Sequence, residues 1–451
     1  MESGELIDLD ITAVAHGGVF VGRIDDEDGG RGRVVFVPDT MPGERVRVRL
    51  TDVSKPSFWR GEALEVLDAS PHRRPHVWRA ADIDIAPDRR PGGADFGHID
   101  LAHQRALKHD VLRDALERIG RLQVGSTIQT ARETSADDGS APIENSDGTG
   151  WRTRLSLHVD ENGAVGPFAA RSHRVIPVED HPLATDAIAR AARDLRGDGV
   201  GRIDLVQPSD GRVRVIARAE PPRGRARGRR RPAPVEPATA REVVLETVAG
   251  RDFRVDAGGF WQVHRLAAYT LSEQVKAGLR ALRPTGPAID PDASHLDLYG
   301  GVGLFAAALG DLAGRSARIT SVESDERATE HAGENLAEWV GARAETARVD
   351  RYLARLRAEA SAVERERISR GVTVLDPPRA GAGREVVESL IELAPARVVY
   401  VACDPVALAR DLATFRAGGY DVAADIAAFD IFPNSHHVEA VAVLTRDGAP
   451  D

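Results

Sequence analysis

The spacing of apolar and polar positions changes character along the chain. Up to residue 70 apolar residues alternate with polar ones in short runs, at 6–13, 18–24, 32–36, 45–52 and 58–67. A period of two puts successive side chains on opposite faces of a strand. Turns at 25–31 and at Met41-Pro42-Gly43 separate several of the runs. Five short strands at this spacing predict a small β-barrel of the oligonucleotide-binding type. Residues 71–100 are rich in Pro, Arg and Gly and read as loop. Helical periodicity follows over 100–119, through Leu101, Leu107, Val111, Leu112, Leu116 and Ile119, with Gly120 as the stop. Runs at 151–159 and 213–217 predict strands of a second β-rich region.

From about residue 290 strand and helix patterns alternate. Strands are predicted at 295–298, 319–322, 372–375 and 398–402, and helices at 304–312, 326–339, 384–393 and 406–416. That order predicts a doubly wound α/β sheet. Two further strands, 421–427 and 438–444, follow, and no internal repeat is visible. The expected domains are therefore 1–70, a barrel; 71–245, a β-rich central domain; and 246–451, an α/β domain.

Two polar segments interrupt this plan. Residues 134–150 read as a mobile loop. Residues 221–237 read as a linker whose core, 223–231, holds six arginines in nine residues and cannot bury a core. Such a run is either a solvated spacer or a contact to a nucleic-acid backbone. Arg45, Arg47 and Arg49 share one strand face and carry the same two readings.

Composition narrows the class. The absence of any run of about 18 apolar residues excludes a membrane-spanning helix. The acidic start, Met1-Glu2-Ser3-Gly4-Glu5, does not read as a secretory signal. A single cysteine rules out an internal disulfide and fits a reducing cytoplasm, the expected location. A formal charge of −10 gives no overall nucleic-acid footprint, so any such contact must be local.

The candidate chemistry lies at predicted strand ends. Asp297-Leu298-Tyr299-Gly300-Gly301-Val302-Gly303 joins a strand to a helix, where glycines let the backbone approach a ligand. Glu323, at the end of the next strand, is placed to accept ribose hydroxyls. Asp376-Pro377-Pro378-Arg379 leaves another strand in an extended path. Cys403-Asp404-Pro405 ends the next and opens a helix, whose N-terminus can lower a thiol pKa, although Asp404 opposes this. A buried, inert thiol is the alternative. Glu439 stands in the otherwise apolar run 438–444, where a carboxyl is either paired or functional. Adjacent His436 and His437 point apart on a strand, so no metal site is expected. Gly259-Phe260-Trp261-Gln262 presents an aromatic pair that either packs in the core or stacks on a base or cofactor.

In order and spacing these motifs resemble the S-adenosylmethionine-dependent RNA uracil-5 methyltransferases. The resemblance rests on Phe260-Trp261-Gln262-Val263, Asp297–Gly303, Val322-Glu323, Asp376–Gly381, Val401–Pro405 with Leu408-Ala409-Arg410-Asp411, and Phe432–Glu439. Residues 1–70 look like the TRAM barrel that often leads this family. The resemblance implies a class I (Rossmann-like) methyltransferase sheet. It gives Cys403 the role of nucleophile and Glu439 that of general base. Gln262, Tyr299, Gly301, Glu323, Asp350 and Asp376 would contact S-adenosylmethionine or the target base. RNA is the implied partner, 23S ribosomal RNA before transfer RNA, and a monomer is expected. A non-catalytic RNA-binding protein of this fold is the other class of function. Three departures stand out. Many relatives carry iron–sulfur cysteines where Pro91–His98 has none, so no cluster is expected. Asp404 replaces a usual Asn, and Leu304 stands where some relatives place Asn.

Overall fold

The computed structural model describes residues 1–24, 32–131, 145–197, 199–219, 236–283 and 285–446. The chain forms two compact units. The first comprises Met1–Lys108, Glu144–Glu242 and Phe432–His436; the second comprises His109–Ile143, Val243–Ile431 and His437–Asp451.

In the first unit, β1 (Leu6–Ala15), β2 (Val19–Ile24), β3 (Arg33–Val37), β4 (Arg45–Asp52) and β5 (Phe58–Asp68) close a barrel in the order β1-β2-β3-β5-β4. The predicted strands match these to within two residues at each end. Alternation fills the interior with Leu9, Phe20, Val35, Val37, Val46, Val48 and Leu50, all nearly inaccessible. Burying each such side chain stabilises by roughly 1.5–3 kcal/mol. The barrel is narrow enough that glycine is required at its seams. A Cβ on Gly61 would lie 2.2 Å from Val48 Cγ1, and one on Gly22 2.5 Å from Leu9.

The helix α1 (Leu101–Arg118) follows the periodicity closely. Beyond it comes β6 (Ser126–Thr130), which belongs to the second unit. The first unit resumes with β7 (Arg154–Val159), β8 (Val165–Gly166), α2 (Asp186–Arg193), β9 (Gly201–Val206) and β10 (Arg214–Ala219). Those strands form a four-stranded sheet in the order β10-β9-β7-β8. Leu157, Leu205, Ile188 and Ala192 pack α2 against it. The linker core 223–231 and most of the predicted loop 134–150 lie outside the described residues. The end of that loop is held: Asn434 Nδ2 donates to the carbonyls of Asp147 (3.2 Å) and Gly148 (2.7 Å).

The second unit begins its main run with the hairpin β11 (Val243–Val248) and β12 (Arg251–Asp256), then α3 (Ala267–Ala281). Its sheet uses β13 (Ser294–Leu298), β14 (Arg318–Glu323), β15 (Ala342–Thr346), β16 (Val372–Leu375), β17 (Arg397–Ala402), β18 (Tyr420–Val422), β19 (Ile426–Asp430) and β20 (Glu439–Arg446). With β6 these make nine strands in the order β15-β14-β13-β16-β17-β20-β19-β6, with β18 paired to β20. Helices α4 (Leu304–Ala313), α5 (Glu326–Asn335), α6 (Val349–Glu359), α7 (Ala362–Ser369), α8 (Arg384–Leu393) and α9 (Pro405–Ala417) connect the parallel strands.

Two expectations change. The strand expected at 421–427 is two strands, broken over 423–425. The helix expected over 326–339 stops at Asn335, whose side chain turns to accept from Arg254 N–H (2.8 Å) and donate to the carbonyls of Val302 (2.9 Å) and Arg254 (3.1 Å). Residues 109–143 join the second unit because β6 extends its sheet in parallel with β19. Among the described residues no helix is long and apolar enough to cross a membrane.

Candidate active site

Strand order reverses between β13 and β16. From β13 the chain runs outward to β14 and β15; from β16 it runs the other way to β17. Open α/β sheets bind ligands in the crevice past the carboxyl ends of strands at such a point. Here the edge carries Tyr299 and Gly301 after β13, Glu323 ending β14, Asp350 after β15, Asp376 after β16 and Cys403 after β17.

Strand β20 completes the edge by running antiparallel to β17. Ala402 pairs with Ala440, so the next position on each strand is Cys403 and Glu439. The two candidate groups therefore lie at adjacent positions although 35 residues separate them in the chain. Gln262 stands on another element, the connection from β12 to α3.

The glycine turn is built on a strained residue. Tyr299 has φ 63°, the left-handed region a bulky side chain rarely adopts. Burial and the carboxylates of Asp350 and Asp411 push its phenol up to about 12. Gly301 (φ 53°) donates its N–H to Glu323 Oε2 at 3.2 Å, and a Cβ there would meet nothing within 4 Å. Glu323 Oε1 accepts from the N–H groups of Ser324 (2.5 Å) and Asp325 (2.9 Å). Gly300 is obligatory for a different reason: a Cβ would sit 2.1 Å from Ser321 Oγ and 2.7 Å from Asp297 Oδ2. Asp297 is fully buried and braces the turn, accepting from Ala306 N–H (3.0 Å) and Ser321 Oγ–H (3.2 Å). Its Oδ1 has no partner, and burial pushes the carboxyl up to about 7.

Asp350 makes a two-pronged ion pair with Arg348 (2.8 and 3.1 Å), which holds its carboxyl below the usual range. Asp376 is raised to about 7 by burial and by Asp297. Glu439 is 5% exposed and is raised well above the usual range by burial, then by Asp376, with Arg379 opposing. Cys403 is half-buried, and burial, Glu439, Asp376 and Asp404 push its thiol up to about 12, again against Arg379. The lowering that a helix N-terminus offers is thus outweighed by desolvation and three carboxylates.

Asp404 has a structural task that the Asn-to-Asp difference leaves intact. Its carboxylate caps α9, accepting from Ala407 N–H at 2.8 Å, with Pro405 in the first turn. Two turns later Asp411 is almost fully buried and holds the loop after Asp376-Pro377-Pro378-Arg379. It accepts from Tyr400 Oη–H (2.7 Å), Ala382 N–H (2.9 Å) and Gly383 N–H (3.2 Å), while Arg410 donates to the Ala380 carbonyl (2.7 Å). Asp411 and Tyr400 thus support the candidate site, and Arg379 acts on both Cys403 and Glu439, roles that their places in the sequence motifs do not reveal. A carboxylate at a buried helix position was the available signal for Asp411.

The remaining predicted features separate. Trp261 is core, 8% exposed and tilted on Phe253 at 5.7 Å, whereas Phe260 is 73% exposed. His437 accepts from Arg379 Nη2 at 3.1 Å. His436 donates to Asp95 Oδ2 at 2.5 Å within the first unit, so Asp95 is tied up where many relatives place iron–sulfur cysteines. Among the described residues no group of three His, Cys, Asp or Glu is arranged to hold a metal. Leu304 is the buried first residue of α4.

Comparison with known proteins agrees with this arrangement. Residues 290–447 match the family model described as tRNA (uracil-5-)-methyltransferase, and residues 2–64 match the TRAM domain. A protein of Streptomyces avermitilis named as an uncharacterized RNA methyltransferase is 37% identical, over 98% of both chains. One of the same description from Bifidobacterium longum is 33% identical over 92% of both. The crystal structure of Pyrococcus abyssi tRNA (uracil-54, C5)-methyltransferase with S-adenosyl-L-homocysteine shares the fold, with a TM-score of 0.62 and 19% identity over 97% of this chain and 100% of that one. The chain belongs to the family of these RNA methyltransferases, carries the tRNA (uracil-5-)-methyltransferase domain over residues 290–447, and is an RNA uracil-5 methyltransferase with an N-terminal TRAM domain.

Proposed function

We propose that this enzyme transfers a methyl group from S-adenosylmethionine to C5 of a uridine through a covalent adduct between Cys403 and C6 of the base. The register that sets Cys403 beside Glu439 carries the reading. The residues at the sheet edge fit the donor. The open face of Gly301 admits close approach, and Glu323 beside it supplies a carboxylate for ribose hydroxyls. When bound, S-adenosylmethionine supplies an electrophilic methyl group.

Uracil C5 is a weak nucleophile. Cys403 Sγ passes its proton to solvent and adds to C6, and the C5–C6 π pair moves onto the C4 carbonyl as an enolate. C5 would then take the methyl group, the methyl–sulfonium bond breaking with its electron pair left on the sulfur of S-adenosylhomocysteine. The Glu439 carboxylate removes the C5 proton, the freed pair restores the C5–C6 double bond, and the Sγ–C6 bond breaks. A raised pKa makes Glu439 a stronger base than a solvated glutamate. Arg379 offsets charge beside both groups. The base must leave its stack to reach this edge, which selects a loop or a flipped nucleotide.

The expected substrate is 23S ribosomal RNA. Transfer RNA is the second reading, favoured by the description of the matching family model. The test is tritiated methyl transfer to total RNA from a strain lacking the gene, with wild type and Cys403→Ala. Label in a ribosomal band that the variant loses supports the proposal. Label in transfer RNA keeps the chemistry and changes the substrate. Label retained by Cys403→Ala overturns the adduct.

A further inference from the structure

The barrel offers two outward surfaces of opposite character. On β1, β4 and the later half of β5 the arginine stripe is neutralised. Arg45 pairs with Asp10 (3.8 Å), Arg47 with Asp8 (3.0 Å) and Glu65 (3.1 Å), and Arg49 with Glu62 (2.8 Å). Three arginines thus face four carboxylates, and phosphate would have to displace these pairs. The phosphate-tracking reading of this stripe therefore loses its basis.

The other surface spans β2, β3 and the start of β5. Val21 lies opposite Phe36, which lies opposite Arg60; Arg23 lies opposite Val34, which lies opposite Phe58. These six positions alternate with the buried Phe20, Gly22, Val35 and Trp59, so all six point outward. Phe36 and Phe58 form an edge-to-face pair with centroids 5.5 Å apart, and the Arg60 guanidinium lies 5.7 Å from the Phe58 ring. Neither Arg23 nor Arg60 has an ion-pair partner among the described residues. Asp52, opposite Arg60 on β4, accepts from Ser54 N–H (2.9 Å) and Oγ–H (2.7 Å).

We propose that this β2-β3-β5 face, and not the arginine stripe, is the surface on which single-stranded RNA lies. The warrant is complementarity. Two aromatic rings offer a platform on which any base can stack, and the exposed guanidiniums of Arg23 and Arg60 flank it for the backbone, with Arg60 also acting on the Asp52 carboxylate opposite it. Outward Val and Phe on three adjacent strands are costly to hydrate unless something covers them. Oligonucleotide-binding barrels commonly use the face of strands 2 and 3. The inference rests on RNA as the partner named above.

The experiment measures binding of the full chain to a 16-nucleotide single-stranded oligouridine across a salt series, with methyl transfer to RNA run in parallel. Phe36→Ala or Phe58→Ala should raise Kd roughly 5- to 100-fold, the range of one lost base stack. Phe58→Tyr should restore most of it, and matched melting curves exclude unfolding. Arg60→Ala should weaken binding and reduce the salt slope by about one. Arg47→Ala should change Kd less than about twofold. Losses on Arg47→Ala with none on Phe58→Ala overturn the assignment, as does a wild type that binds no oligouridine at low salt. Wild type that binds with the expected losses yet methylates no RNA overturns the proposed function and leaves this face standing.

Discussion

Cys403 in the free protein should behave as an unusually unreactive thiol. Burial and the neighbouring carboxylates of Glu439, Asp376 and Asp404 raise it to about 12, against an ordinary value of 9.0. At pH 8 the thiolate fraction is then on the order of 10⁻⁴, where an unperturbed thiol has about 10⁻¹. Alkylation by iodoacetamide should be slower by about 10³-fold for that reason alone. Because Cys403 is the only cysteine, intact-mass detection of one adduct reports this site without ambiguity. Access also slows alkylation, but access does not set the pH midpoint. The discriminating result is the profile: the rate should climb about tenfold per pH unit through pH 10 with no plateau. Glu439→Gln removes a raising charge and should move the profile to lower pH; Arg379→Ala removes the opposing charge and should move it higher. A plateau with a midpoint at or below 9 in the wild type would refute the electrostatic reading. The same protonation guards the lone thiol against oxidation while no RNA is bound.

Further consequences follow for the rest of the site. Glu439→Gln leaves addition to C6 possible but removes the acceptor for the C5 proton, so turnover should fall by about 10²- to 10⁴-fold while a denaturation-resistant protein–RNA adduct accumulates on gels. Gly381 has φ 80°, and a Cβ there lies 2.6 Å from both Arg410 Nη2 and Asp411 Oδ2, so Gly381→Ala should lower stability by about 1–3 kcal/mol in a denaturant melt. Asn434 is fully buried at φ 67°, accepts from Arg74 (2.5 Å) and Gln104 (3.0 Å) and donates to two carbonyls; Asn434→Ala strands those groups and should cost about 2–4 kcal/mol by the same measurement. Asp297 protonates near 7 when folded and near 3.8 when unfolded, so the folded state binds the extra proton in between and stability falls as pH rises through that window. Asp297→Asn should flatten the pH 4–7 dependence of the melting temperature; an unchanged slope would count against the burial argument.

Local pattern carried much of the architecture. The apolar run 372–375 and the amphipathic 384–393 match β16 and α8 residue for residue. The barrel strands were legible because each alternates cleanly and turns bound them. Elements without that signature were not. In β11–β12 the hairpin turns on Ala249 at φ 50°, the charged Glu246 takes an inward position, and Asp256 is buried on the outward side opposite Val243, which blurs a period of two. The helix α3 has buried Leu271, Val275 and Leu279 at helical spacing but starts without a side-chain cap. The arginine stripe shows the deeper limit. Arg47 alternates visibly with Arg45 and Arg49, but the acids that cancel it lie on β1 and β5, 39 and 18 residues away. Charge on a strand face is a property of the sheet, and a single run of sequence holds only one strand of it.

The proposed pair shows what motifs can carry and electrostatics cannot. Cys403 and Glu439 are singled out by residue types placed where they are expensive: a lone thiol at a strand end, a carboxyl in an apolar strand. That they are neighbours depends on β20 entering antiparallel beside β17, a register that only the folded sheet fixes. Once it is fixed, the pKa direction reverses from the helix-end expectation. The dipole of α9 acts on one side of the sulfur, while β16 and β20 bring Asp376 and Glu439 to the others and α9's own cap adds Asp404. On the proposed mechanism, a thiol built this way is silent until substrate arrives. RNA binding must therefore do more than deliver a base: it has to change the protonation of a cluster in which Asp376, Cys403 and Glu439 all hold their protons more tightly than they would in water.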